Sequence, residues 1–170
     1  LNIFIMKKIL LALLVLPFIS CTGPTNPNYE KNLATAQKIF TLHGEENLEA
    51  QLALLSEDMT MEPAAYGSKT LNKEAFGDLL KGYHMAFDEI NFEANVWLPG
   101  TDEQGDLDGS VRTYGTWTGV SASTGIRLNL KSYHFFNFNA EGLIQQQGDF
   151  FDATGMMNAT SLQEPVTTEE

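Results

Sequence analysis

The sequence predicts an α+β domain, helices packed on one face of a curved antiparallel sheet. Three observations predict it: apolar residues recur at helical spacing up to Phe87, they alternate with period two from Glu89 to Phe151, and no internal repeat interrupts either pattern.

Tyr29 to Leu42 sets Leu33, Ala36, Ile39 and Phe40 at helical spacing, and Gly44 supplies a stop. His43 stands beside that glycine, where a cation suits a helix C-terminus. A short helix from Leu48 to Leu55 leads into a strand, "DMTMEP". Asn72 to Phe87 is amphipathic, with Ala75, Leu79, Leu80, Tyr83 and Phe87 on one side and Lys73, Lys81 and His84 on the other. That places His84 in solvent. In "EINFEANVWL" the residues Ile90, Phe92, Ala94, Val96 and Leu98 fall on one face of a strand. "PGTDEQGDLDG" is a polar, glycine-rich loop. Its Asp102, Glu103, Asp106 and Asp108 lack the spacing and terminal Glu of a calcium loop. The strands "SVRTYGTWTGV", "IRLNLKSYHFFNF" and "LIQQQGDFF" complete the sheet.

The first 20 residues stand apart. Met6, Lys7 and Lys8 precede an apolar run from Ile9 to Ile19, too short for a membrane-spanning helix of roughly 20 apolar residues and built as a secretory leader. Met6 is the expected start. "FISC" resembles the lipobox of bacterial lipoproteins, with Phe18 where a Leu is usual and the small Ser20 before Cys21. The resemblance implies acylation of Cys21, the chain's single cysteine, and anchoring to the bacterial envelope, in the outer-membrane class facing the periplasm because Thr22 follows it. The expected divisions are a leader at 1–20, a lipidated Cys21 with a Pro- and Asn-rich tether over 21–28, a domain at 29–159 and a disordered acidic tail at 160–170. Removing Lys7 and Lys8 leaves 8 basic residues against 22 acidic ones, a formal charge of −14. Such a surface repels phosphate, so nucleic acid is not expected as a partner.

The hairpin "SYHFFNFNAEGLIQQQGDFFD" holds the candidate chemistry. If Phe138 opposes Leu143, then Phe136 opposes Gln145, His134 opposes Gln147, and Ser132 opposes Asp149. All eight then share a face, with Asp149 diagonal to His134. An Asp beside a His fixes the imidazole tautomer, and a carboxylate walled by aromatic rings is less willing to ionise. Either arrangement suits proton transfer near neutral pH.

The Glu62-Pro63 turn, "GTWTG" at Gly115 to Gly119, "LNLKSYHFFNFNAEGLI" and "GDFFDATGMM" resemble the SnoaL-like polyketide cyclases over Tyr29 to Ala159. That family belongs to the cone-shaped α+β barrel superfamily of nuclear transport factor 2, ketosteroid isomerase and scytalone dehydratase. The resemblance implies a pocket between the concave sheet face and the helices, no cofactor, and a His and an acid–base Asp on the last two strands, matching His134 and Asp149. Ketosteroid isomerases carry their general base in a comparable acid-Pro turn, which brings in Glu62 as a third catalytic candidate, although the acid there is Asp. Tyr66, Tyr83, Trp117 and Phe136 form an expected aromatic wall for a small apolar ligand, with Gln147 as a polar partner. No metal site is expected, because His84 faces away from the candidate pocket. Two readings stand: a pocket that binds a small apolar molecule and moves protons on it, and a non-catalytic association module that pairs with a second copy through its sheet.

Overall fold

The computed structural model describes residues 26–161. The leader, Cys21 and the tail from residue 162 lie outside the described residues. The order of elements is α1 (Tyr29–Gly44), α2 (Leu48–Ala53), β1 (Leu55–Glu62), α3 (Lys73–Ala86), β2 (Phe87–Thr101), β3 (Leu107–Ser121), β4 (Arg127–Phe138), β5 (Ile144–Phe151) and α4 (Ala153–Thr160).

Three of the four helices start where a short polar side chain satisfies a free N–H group, α1 being the exception. Asn47 accepts from Ala50 N, Asn72 from Ala75 N and Asp152 from Gly155 N. The last of these begins α4, an element that the period-two reading did not anticipate. Thr160, assigned to a disordered tail, ends that helix. It is buried, and its carbonyl accepts from Ser121 Oγ at 3.2 Å. At the other end the expected tether is partly tied down, since Asn26 Nδ2 donates to Leu107 O at 2.9 Å.

The five strands pair in the order β1-β5-β4-β3-β2. The sheet is mixed, not wholly antiparallel: β1 runs parallel to β5, and the other pairs are antiparallel. Helices cover one face. Ala36, Ile39 and Phe40 of α1 and Phe76 and Leu80 of α3 meet Met59 and Met61 of β1, Val111 of β3, Phe136 of β4 and Ile144 of β5 in one buried cluster.

Two departures from regular pairing change which side chains face the core. In β2 the register shifts between Ala94 and Val96, so the unbroken alternation read from the sequence fails there. Phe92 and Trp97 pack on the core, while Val96 and Leu98 are exposed. In the β4–β5 hairpin the register shifts between Asn137 and Phe138, and Phe138 opposes Ile144. Gln145 thereby leaves the inner face and donates to Asp58 at the surface.

Gly44 does end α1, but not through left-handed backbone. A Cβ there would lie 2.6 Å from Ile90 O. The glycine lets the helix end touch β2.

Candidate active site

The site grows from the shifted hairpin. His134 directly opposes Asp149, two residues further along β5 than the loop length implied. A shift by an even number keeps the face, so the two side chains still point the same way. His134 Nδ1 lies 2.7 Å from Asp149 Oδ1, and the ring is 2% exposed.

Trp117 decides the tautomer. Its indole N–H can only donate, and it does so to His134 Nε2 at 2.9 Å. Nε2 must therefore carry the lone pair, and Nδ1 the proton that it donates to Asp149. Ser132 Oγ stands 3.0 Å from the same Nε2, able to share its lone pair now or to accept from it if the ring becomes charged. Gln147 Nε2 donates to Asp149 Oδ1 at 3.3 Å. Oδ1 thus takes both bonds, and Asp149 Oδ2 has no hydrogen-bond partner among the described residues.

These groups open on a cavity of about 70 Å³ between the sheet and the helices, room for several waters or a ligand of a few heavy atoms. Its walls are mainly apolar, among them Ile39, Phe76, Leu80, Leu130 and Met156, and its polar edge is Asp149, His134, Gln147, Tyr83 and His43. Phe40 presents its ring edge-on to His134 and Trp117, centroids 4.9 Å away in both cases. The same ring borders a groove of about 390 Å³ between α1 and β2. Tyr83 is mostly buried, and burial, followed by the charge of Asp149, pushes its phenol up to about 12. It is a neutral donor at neutral pH.

Of the residues singled out from sequence, the fold brings His134, Asp149, Trp117, Tyr83 and Gln147 to this one cavity. Three are elsewhere. Met59 and Met61 point inward along β1, so Glu62 points outward, where its Oε1 accepts from Gln146 Nε2 at 2.9 Å. Tyr66 lies in the following turn, fully exposed. Phe136 is wholly buried in the core below Phe40 and does not border the cavity.

Sequence reasoning missed His43 and misplaced His84. His43 is 8% exposed, lines the cavity and reaches His84 Nε2 with its Nδ1 at 2.8 Å. Burial, then His84, hold its imidazole down to about 4. The signal was in the spacing: His43 continues the series Ala36, Ile39, Phe40 on the buried face of α1. His84 likewise sits one turn beyond Leu80, at the border of the apolar stripe of α3. Among the described residues no three His, Cys, Asp or Glu side chains converge as a metal site.

Several solved structures share this fold. A candidate isomerase from Bacillus subtilis has 20% identity and a TM-score of 0.68, over 82% of this chain and all of that one. A candidate polyketide cyclase from Xanthomonas campestris has 16% identity and a TM-score of 0.61, over 79% of this chain and 99% of its own. A protein with a ketosteroid isomerase-like fold from Catenulispora acidiphila, solved with trimethylamine, has 13% identity and a TM-score of 0.62, over 82% and 96%. This is the cone fold of the polyketide cyclase and ketosteroid isomerase-like proteins. No protein-family model and no curated relative matches the sequence. At these identities the likeness concerns the cone fold and leaves the chemistry to the side chains.

Proposed function

We propose that the chain binds a small, largely apolar carbonyl compound in the cavity and moves a proton on it by side-chain acid–base chemistry. The observation that carries this reading is Asp149: one carboxylate oxygen is fixed by His134 and Gln147, and the other is unpaired at the border of an apolar cavity. An oxygen so placed can take a proton from a carbon acid, while Tyr83, held neutral, can donate to the oxygen where charge develops. His134 positions the carboxylate and does not need to reach the ligand.

The test is exchange of carbon-bound hydrogen for deuterium in small ketones such as butanone and cyclopentanone, followed by NMR. Exchange should fall by roughly a hundredfold in Asp149→Asn, in line with the loss of one positioned acid–base group. Equal exchange in wild type, Asp149→Asn and His134→Ala would overturn the catalytic part. Lipophile binding retained by all three would leave a binding pocket alone.

A second observation favours association. On the outer sheet face Tyr114, Tyr133 and Phe150 are direct cross-strand neighbours, with ring centroids 4.8 and 5.7 Å apart. Tyr114 and Phe150 are each about half exposed. A second copy packing on this stripe would bury it. Sedimentation should then give a dimer that Tyr114→Glu disperses.

The leader and Cys21 support an acylated form held at the bacterial envelope. Incorporation of labelled fatty acid, abolished in Cys21→Ser, checks it.

A further inference from the structure

The wall of the cavity that faces the sheet carries a pair of groups that the chemistry above leaves unused. His43 comes from α1 and His84 from α3, with Nδ1 of the first 2.8 Å from Nε2 of the second and ring centroids 4.6 Å apart. His43 borders the cavity; His84 is half-buried and does not. The pair therefore spans the wall. Around it, Ile39, Phe76 and Leu80 offer no exchangeable side-chain proton.

Two neutral imidazoles in contact must take opposite roles, one nitrogen donating and the other accepting. The second nitrogen of each ring makes no hydrogen bond of normal geometry among the described residues. A proton arriving at one end can then leave from the other without any ring leaving its place.

We propose that His43 and His84 form a two-imidazole proton relay between bulk water and the ligand cavity. His84 takes a proton from water on Nδ1, its Nε2 proton passes to His43 Nδ1, and the Nε2 proton of His43 leaves to an acceptor on the cavity side. One proton enters and one leaves, no electrons change hands, and the exchanged tautomers are restored when a proton runs the other way. The charged and titratable groups facing the pair are Glu46 beside His84, and Asp149, His134 and Tyr83 around His43. Asp149 favours the transient charge on His43. Gln51 does the same, close to His43 though without a hydrogen bond of normal geometry. Burial opposes that charge, so His43 passes a proton on and does not store it.

The relay rests on the preceding reading only for what receives the proton. An Asp149 protonated in one turnover needs a way to exchange with water from inside an apolar cavity, and the imidazole pair provides it.

The experiment needs no ligand, so its failure is distinct from failure of the ketone assay. The chain has three histidines, so nitrogen-15 NMR of the full chain can separate their ring N–H signals. Exchange of the His43 ring proton with water should slow by roughly a hundredfold in both His84→Phe and His84→Asn, the low end of what one positioned acid–base group contributes. Backbone amide exchange in β4 should stay unchanged, which shows that the fold is intact. Free imidazole should restore fast exchange in His84→Ala. Asn can still hydrogen-bond to His43 but cannot carry a proton through itself. Wild-type exchange in His84→Asn would reduce His84 to a positioning residue, and wild-type exchange in His84→Phe would mean that protons reach His43 by another path; either result overturns the relay.

Discussion

The Trp117 indole donates to His134 Nε2 at 2.9 Å, and this contact sets the proton on the far side of the imidazole, against Asp149. A lone His–Asp contact would leave that assignment open. Here a donor-only partner removes the alternative.

The first prediction concerns how Nε2 is shared. Ser132→Ala alone should cost about 0.5 kcal/mol, because Trp117 still satisfies the nitrogen. Trp117→Phe should cost roughly 2 kcal/mol for the lost bond and packing, limited because the Ser132 hydroxyl can turn its O–H to Nε2. The double variant leaves a buried nitrogen with no partner and should exceed the sum by about 1 kcal/mol. Urea unfolding of the four proteins measures the coupling, and nitrogen-15 shifts should show His134 Nε2 unprotonated in the wild type. Strict additivity would mean that Ser132 takes no part.

The second prediction is an acid sensitivity centred on His43. His43 is held down to about 4 by burial and then by His84, against an ordinary 6.5. Between those values the unfolded chain binds a proton that the folded chain refuses, so stability falls as pH drops from 6.5 towards 4 and this contribution levels off below that. A displacement of that size amounts to about 3 kcal/mol. The carboxylates that also titrate near pH 4, and His84, whose imidazole burial also holds down, are common to wild type and His43→Gln. The difference between their urea midpoints should therefore shift in favour of His43→Gln as the pH is lowered through this window. A pH-independent difference would place His43 in contact with water.

The fold was readable because its two halves differ in period, and the hairpin face survived because its register error was two residues and not one. Part of what escaped reading is set by tertiary contacts, and part by weighing the wrong signal. The shift between Ala94 and Val96 reverses the face of Val96 and Leu98, and no residue at that point announces it. Analogy with a turn points to Glu62 as a base, whereas the inward methionines on either side of Thr60 already fix it outward. For His43 the place at a helix end suggests a cap, but its spacing from Ile39 and Phe40 is the stronger signal. His84 needed knowledge that α1 and α3 lie side by side.

The third prediction follows from Phe40, which separates the cavity of about 70 Å³ from the groove of about 390 Å³. Ile90 borders both as well, but the ring is the bulkier partition. Phe40→Ala should lose roughly 3 to 5 kcal/mol through lost burial, so Phe40→Leu is the useful variant. It should admit ligands too large for the wild-type cavity, read as thermal shifts with a graded series of cyclic ketones. An unchanged size limit would mean that the groove does not communicate with the cavity.

The fourth prediction sets two helical glycines against each other. Replacing Gly by Ala in a helix contributes up to about 1 kcal/mol from propensity alone. Gly82 in α3 has nothing within 4 Å of an added Cβ, so Gly82→Ala should raise stability by roughly 0.5 to 1 kcal/mol. At Gly44 the same methyl would lie 2.6 Å from Ile90 O, a backbone atom that can give way only if α1 moves off β2. Gly44→Ala should therefore lower stability by roughly 1 to 3 kcal/mol despite its better propensity. Because His43 is the next residue, that movement should also displace its ring from His84, which the His43 nitrogen-15 shifts would register. Denaturation midpoints of opposite sign, together with a His43 shift in Gly44→Ala alone, are the expected result. A stabilised Gly44→Ala would mean that the helix end is not pressed against β2.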